Sequence, residues 1–400
     1  MELTTRPFTA EELDRAWAVL EQAFGNVPHP QDREIEFALV DPDRTLGAFA
    51  GTDLIGTAAS FAMTMTVPGG QREIGFVTWV GVTPTHRRRG VLTTVMTAQL
   101  QDLYERGESV TALWASEGKI YPRFGYGLAS GRYDLAVPRG AAFARPVPPG
   151  RLTLVPPTAA GCAGAYDEVA ARTPGWTVRD DAWWNYRLHD PEHRRRGNGP
   201  LQCVIDDETG SYALYAVKSD WAGDGPAGIV TVQELVATHP AATARLWRYL
   251  LDLDLTAKVV HQFGTLDDPL LQLLSEPRTA NATWRDGLWC RLVDVGAALP
   301  SRSLDAEVDV VLEVTDRTCP WNARRWRLAG DLTGAVCSPT TDPAELRLDV
   351  EDLGAAFLGG TSLLSRAAAG RVEPVRPGAL VALSRALAWT GPPASCPMIF

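Results

Sequence analysis

The chain has 400 residues, a formal net charge of −10, and 45% hydrophobic against 22% charged residues. That length exceeds what one hydrophobic core usually supports, so two or three domains are expected. The acidic balance argues against nucleic acid and other polyanions as partners, and it attracts small cationic amines rather than repelling them.

In chain order, the first seven residues carry no basic stretch followed by an apolar one, so no signal peptide is expected. Thr9-x-x-Glu12 is a capping box that opens a helix with Leu13, Trp17, Leu20 and Phe24 on its apolar face. Residues 45–50, a Gly51-Thr52-Asp53 turn and residues 54–65 read as a hairpin. The turn at 67–70 leads into an apolar strand containing Phe76, Val77, Trp79, Val80 and Val82. After an arginine-rich turn, Val91, Leu92, Val95, Met96 and Leu100 recur at helical spacing and predict a helix from Gly90 to about Tyr104. A buried strand follows at 110–114, and one at 133–137 is expected to close the unit. Helix, hairpin, strand, helix, strand is an α/β order with a mixed sheet.

The turn itself, Thr83-Pro84-Thr85-His86-Arg87-Arg88-Arg89-Gly90, has the make-up of a pyrophosphate cradle. A strand that stops at a proline, then arginines and one glycine, aims the free N–H groups of the next helix at an anion. The arginines add charge-assisted hydrogen bonds to phosphate oxygens. Most charge runs are simply solvated surface turns; the position between a buried strand and a helix start favours the cradle. A second constellation, residues 114–127, follows the strand at 110–114 and therefore sits at a sheet's carboxyl edge. It contains Ser116, Glu117, Tyr121, Gly125 and Tyr126.

Residues 145–150, Arg-Pro-Val-Pro-Pro-Gly, form a stiff connector and the first expected boundary. Residues 228–253 echo the strand and helix of the first unit but lack the arginine cluster and the glycine. The expectation is a second copy of the fold without its cradle. A third region opens near residue 286, with strand-like runs at 291–295 and 308–314, apolar runs at 346–350 and 353–358, and a final helix over 377–389, an α+β module. The tail has prolines at 392, 393 and 397 and ends Met398-Ile399-Phe400. Most termini are polar and frayed, so an apolar end after a stiff spacer suggests a docked carboxylate; a loose tail is the alternative.

Arg87, Gly90 and Leu92 occupy the places of the acetyl-CoA motif of the GCN5-related N-acetyltransferases (GNAT), with Leu92 where a small residue is usual. Tyr121, Gly125 and Tyr126 resemble the family's tyrosine turn. With 80–90, 115–121 and Phe400 taken together, the whole chain resembles the enhanced intracellular survival (Eis) family of these enzymes. The resemblance implies tandem acetyltransferase folds, α/β and α+β, followed by a sterol-carrier-protein-like domain. Residues 1–148 would be the catalytic domain, 149–287 the degenerate one, and 288–400 the last domain with its tail in the first domain's active site; hexamers are implied too. Acetyl-CoA would be the co-substrate. Val80, Gly81 and Val82 would hold its pantetheine arm, Arg88, Arg89, Gly90, Val91, Leu92 and Thr93 its pyrophosphate, and Ser116 and Glu117 would add a further contact. Tyr121 would be the general acid and the Phe400 carboxylate the general base.

Six cysteines without a CxxC pair argue against zinc and against a disulfide framework. His189-Asp190-Pro191-Glu192-His193 has a zinc-like spacing, but Pro191 and the arginines after it disrupt the helix it needs, so no metal is expected. No apolar run approaches a membrane span, and a soluble cytoplasmic protein with free thiols is the expectation. Two functions compete: an N-acetyltransferase of aminoglycoside-, polyamine- or lysine-like amines, and a lipid or small-molecule binder whose transferase domain is a scaffold. The cradle and the phenol favour the enzyme. Acidic residues around Asp32, Glu34 and Glu36 are candidates for recognising the cation.

Overall fold

The computed structural model describes residues 3–25, 29–223 and 225–400. The fold divides into two units, one running to Ser130 and resuming over Gly287–Ala394 and Ile399–Phe400, the other holding Gly131–Asp286 and Ser395–Met398.

The first unit is built on a seven-stranded sheet in the spatial order Thr4–Pro7, Thr45–Ala50, Asp53–Val67, Gly70–Val82, Val110–Trp114, Leu288–Leu292, Gly127–Leu128. The capping box at Thr9 and Glu12 forms as expected, with the Thr9 N–H donating to Glu12 Oε2 at 3.1 Å. It starts the helix Leu13–Phe24, which buries Leu13, Ala16, Trp17, Val19 and Leu20. The helix Val91–Glu105 buries Val91, Val95, Met96, Leu100 and Leu103 against the sheet, and each fully buried aliphatic side chain of this kind contributes about 1.5–3 kcal/mol.

Gly70–Val82 pairs with Val110–Trp114 in parallel only at Gly75↔Thr111 and Phe76↔Ala112. Beyond Phe76 the two strands part. On its other side the strand carries a bulge between Thr57↔Gly81 and Ala59↔Thr78, where Trp79 takes φ 51° and its carbonyl accepts the Thr57 hydroxyl at 2.6 Å. The extra residue kinks the strand and interrupts its ladder with Asp53–Val67 at residues 79–80, while on the opposite edge nothing beyond Phe76 pairs with Val110–Trp114. The same unit contains a five-stranded sheet in the order Gly334–Pro339, Arg325–Asp331, Val308–Thr315, Leu346–Asp349, Glu373–Pro374. Residues 353–358 overlap the helix Val350–Ala356, which Asp349 and Asp352 start with a capping box. The last helix is Ala379–Ala386.

The second unit's sheet has the order Thr283–Asp286, Gly131–Pro138, Thr256–Gly264, Gly228–Val236, Tyr212–Lys218, Gln202–Asp206, Leu152–Val155. Three expectations are corrected here. The strand expected to close the first unit at 133–137 instead pairs with Thr256–Gly264 and Thr283–Asp286. The strand expected to open the third region is Leu288–Leu292, which lies in the first sheet beside Val110–Trp114, while Val295 begins a short helix. The connector 145–150 joins two strands of one sheet, Gly131–Pro138 and Leu152–Val155, not two sheets. Local patterning shows that a run is a strand; which ladder it joins is decided by distant partners.

Candidate active site

Where Gly70–Val82 and Val110–Trp114 part, the first unit holds a cleft of about 680 Å³. Its walls include Val80, Gly81 and Val82 from the bulged strand, Arg88, Gly90, Val91, Leu92 and Thr93 from the turn and helix start, and Ser116, Glu117 and Tyr121 from the second constellation. Of the cofactor-binding and acid/base residues that the resemblance implied, all but Arg89 and Phe400 therefore meet around one space. Arg89 is exposed beside it and is not among its walls. Phe400 is not among them either, but it packs on the same strand at Phe76 and Thr78. Asp32, Glu34 and Glu36 are not among its walls.

The helix start has the geometry an anion needs. Gly90 is the residue before Val91–Glu105 and takes φ 85°, with no side chain capping the helix. Arg88, at φ 61°, is also left-handed. Gly90 adopts this conformation at no steric cost, and a Cβ there would meet nothing within 4 Å. The first N–H groups of an α-helix have no intrahelical partner, and the residues that carry them, Val91, Leu92 and Thr93, line the cleft. A phosphate would find backbone donors and the positive end of the helix dipole here. Arg87 has another job: its Nη2 donates to the Ala23 carbonyl at 2.7 Å, tying the turn to the end of the helix Leu13–Phe24.

Tyr121 opens a short 3-10 turn, Tyr121–Phe124, and is only 5% exposed. Burial raises the phenol's pKa above its ordinary value, and a hydrogen bond with Ser116 works in the opposite direction. The ring stands 6.0 Å from Tyr126, nearly perpendicular to it. Tyr126 is completely buried, with its hydroxyl 3.4 Å from Thr111 Oγ1, and burial pushes its pKa far up. Of the two phenols only Tyr121 reaches the cleft.

The comparisons with known proteins agree with this geometry. Residues 4–129 match an acetyltransferase (GNAT) domain family, residues 175–292 a second one, and residues 295–397 a sterol carrier protein domain. An uncharacterized N-acetyltransferase of Streptomyces avermitilis is 46% identical over 371 residues, 90% of each chain. The N-acetyltransferase Eis of Mycobacterium tuberculosis is 34% identical over 344 residues, covering 82% of this chain and 81% of its own. The chain belongs to the Eis family of N-acetyltransferases. The crystal structure of Eis1 from Mycobacterium abscessus superposes with a TM-score of 0.86 at 32% identity, covering 99% of this chain and all of that one. Two acetyltransferase folds and a sterol-carrier-like module, as the Eis resemblance implied, are thus present.

Several wall residues were missed in the sequence. Phe24, from the end of the first helix, is 57% exposed at the cleft, and His86, Lys119, Ile120 and Arg123 also line it. Ile120 and Arg123 flank the phenol in sequence, which was the available signal. Phe24 offered none, because it falls on the helix's apolar face and reads as core. The decoy histidines separate: His189 follows the helix Asp181–Leu188 and His193 lies in the turn Glu192–Arg194. Among the described residues, no group of three or more His, Cys, Asp or Glu could hold a metal ion, and no helix is long and apolar enough to cross a membrane.

Proposed function

We propose that this Eis-family enzyme moves the acetyl group of acetyl-CoA directly onto an amine of a small cationic substrate, aminoglycoside-, polyamine- or lysine-like, with Tyr121 as general acid and the Phe400 carboxylate as general base. The observation that carries it is the uncapped, glycine-led start of Val91–Glu105 on the wall of the cleft that Tyr121 enters. In this reading Arg88, Arg89, Gly90, Val91, Leu92 and Thr93 bind the pyrophosphate. The main chain of Val80, Gly81 and Val82, beyond the last pair with Val110–Trp114, binds the pantetheine arm, and Ser116 and Glu117 add a contact.

Acyl transfer needs two proton movements. An amine of pKa about 10 is mostly protonated at neutral pH and must lose a proton before attack, while the departing thiolate, of pKa about 8.5, must gain one. A phenol held above its ordinary pKa by burial keeps its proton for that second step. A terminal carboxylate, of pKa about 3.5, is a weak base unless desolvated. Phe400 is half-buried, and relay through water suits it. The tail residues 399–400 belong to the same unit as the cleft, which supports assigning the base to them. We further propose a cytoplasmic location and a hexameric assembly, on family resemblance alone.

Thiol release from acetyl-CoA over a panel of aminoglycosides, polyamines and lysine-containing peptides tests the proposal. Amine-dependent release with a matching mass gain of one acetyl group on the amine is expected. Tight acetyl-CoA binding without transfer to any amine would contradict it and favour a binding protein.

A further inference from the structure

The second unit repeats the layout that makes the cleft in the first. Its strand Gly228–Val236 carries a bulge at Gln233, between Leu214↔Glu234 and Tyr215↔Val232. Its parallel pairing with Thr256–Gly264 stops at Val232↔His261, and the helix Pro240–Leu251 follows. The chemistry at the corresponding places is wrong for a phosphorylated cofactor. Glu234 is a buried carboxylate that accepts from Arg179 at 3.1 and 2.6 Å, Arg187 at 3.3 Å and the Tyr212 hydroxyl at 2.6 Å. Pro240 has no N–H to offer, and His239 Nδ1 already accepts the Ala241 N–H at 3.2 Å.

What fills this place is the chain's own tail. Ser395, Cys396 and Met398 are buried within the second unit. Trp176 Nε1 donates to Ser395 Oγ at 3.0 Å, the Ser395 N–H donates to the Pro174 carbonyl at 2.9 Å, and Arg179 Nη2 lies 3.7 Å from Met398 Sδ. Gly175, at φ 92°, passes so close that a Cβ there would stand 2.4 Å from the Ser395 carbonyl oxygen. Ser395, Cys396 and Pro397 wall what remains of the space, about 160 Å³, together with Trp176, Glu234 and Val236.

We propose that the second acetyltransferase fold is a holder for the carboxyl-terminal segment: the parting of its strands takes Ser395–Met398 as its ligand, and Gly175 and Trp176 are positioning residues that fix where the chain ends. Met398 is two residues from Phe400, so a held Met398 confines the Phe400 Cα to within about 7 Å of the Met398 Cα, and the carboxylate it carries to within about 10 Å. A fold that has lost its cofactor site is thereby kept in use by the reaction of the other one. The positioning role presupposes the Phe400 carboxylate as general base; the holding role does not.

Two variants of the full chain test this, Gly175→Val and the milder pair Trp176→Phe with Ser395→Ala, each compared with a chain lacking Phe400. Carboxypeptidase digestion followed by mass spectrometry reads whether the tail is held. Loss of the terminal residues should be about tenfold faster or more in the variants. The kcat should fall by about tenfold to 100-fold with KM for acetyl-CoA unchanged, as expected when a reacting group is misplaced. Added propionate should restore part of the turnover in the variants and none in the parent. Equal protection of the tail in parent and variants would overturn the holder. A released tail with parental kcat, while deletion of Phe400 still abolishes turnover, would overturn the positioning role. Parental turnover after deletion of Phe400 would instead overturn the base assignment and the positioning role with it, leaving the digestion result to decide the holder.

Discussion

The ring of Phe400 meets the ring of Phe76 edge-on, with 4.6 Å between centroids and planes at 90°, while a terminal oxygen of Phe400 accepts the Thr78 hydroxyl at 3.4 Å. Phe76 is the last residue of its strand to pair with Val110–Trp114. The chain end is therefore seated where the strands begin to part, four and two residues before Val80 enters the cleft wall. An aromatic pair of this kind adds about 0.5–1.5 kcal/mol beyond the area it buries. Phe400→Ala, which keeps the carboxylate but loses the ring, should lower kcat by a smaller factor than removal of the residue; steady-state kinetics on the two variants gives the order.

The helix start makes a prediction about affinity. Gly90→Val forces a branched residue to φ 85°, which costs about 1–3 kcal/mol, although the space around it is open. Acetyl-CoA binding should weaken by about tenfold or more, and Arg88→Ala should weaken it by removing a charge-assisted bond. Calorimetric titration of the folded variants checks both, and an unchanged affinity in both would remove this assignment.

The two tyrosines should separate cleanly. Tyr121→Phe should retain acetyl-CoA binding and lose most of its turnover. Tyr126→Phe, which loses only a 3.4 Å contact with Thr111, should stay within about 1 kcal/mol in stability and near parental turnover. The Tyr121 phenol must be protonated to act, and burial raises its pKa, so the protonated range extends upward. The alkaline limb of the kcat profile should lie above pH 10, the ordinary phenol value, and vanish in Tyr121→Phe.

The buried Glu234 predicts an acid-sensitive second unit. Burial pushes this carboxyl up, but Arg179 and Arg187 overcome it and hold it at about 2, against 4.5 ordinarily. The unfolded state therefore binds the proton first as pH falls. Stability from this group is complete above about pH 4.5 and is lost between there and about pH 2, a term of roughly 3 kcal/mol. Glu234→Gln should show a shallower decline over that window in denaturant melts followed by the fluorescence of Trp176 and Trp184. It should also be less stable at neutral pH, because it leaves Arg179 buried without its partner charge.

Much of the first unit was legible because its signals are local. The Thr9 capping box, the 45–65 hairpin and the 3.6-residue spacing after Gly90 each specify an element from a few neighbouring residues, and the cradle and Tyr121 sit at the ends of such elements. What was illegible depends on distant partners. Nothing in Leu288–Leu292 announces that it pairs with Val110–Trp114, and nothing in Gly131–Pro138 announces the other sheet. Residues 353–358 are apolar throughout, so period could not separate strand from helix; Asp349 and Asp352 were the overlooked sign of a helix start. The apolar tail was legible as something docked, though not that Ser395–Met398 packs in one unit and Ile399–Phe400 in the other.

The pairing of Tyr121 with the terminal carboxylate is tested most directly by the kcat of a chain ending at Ile399, or extended by several residues beyond Phe400, measured with saturating acetyl-CoA and amine across pH. Turnover should fall by about 100-fold or more in both chains, within the range attributed to general-base catalysis. Acetyl-CoA affinity should stay at the parental value, and the melting temperature should fall by only the small amount that loss of the Phe76–Phe400 contact accounts for. Parental turnover with an unchanged pH profile in either chain would contradict the assignment and move the base to a side chain of the cleft such as Glu117.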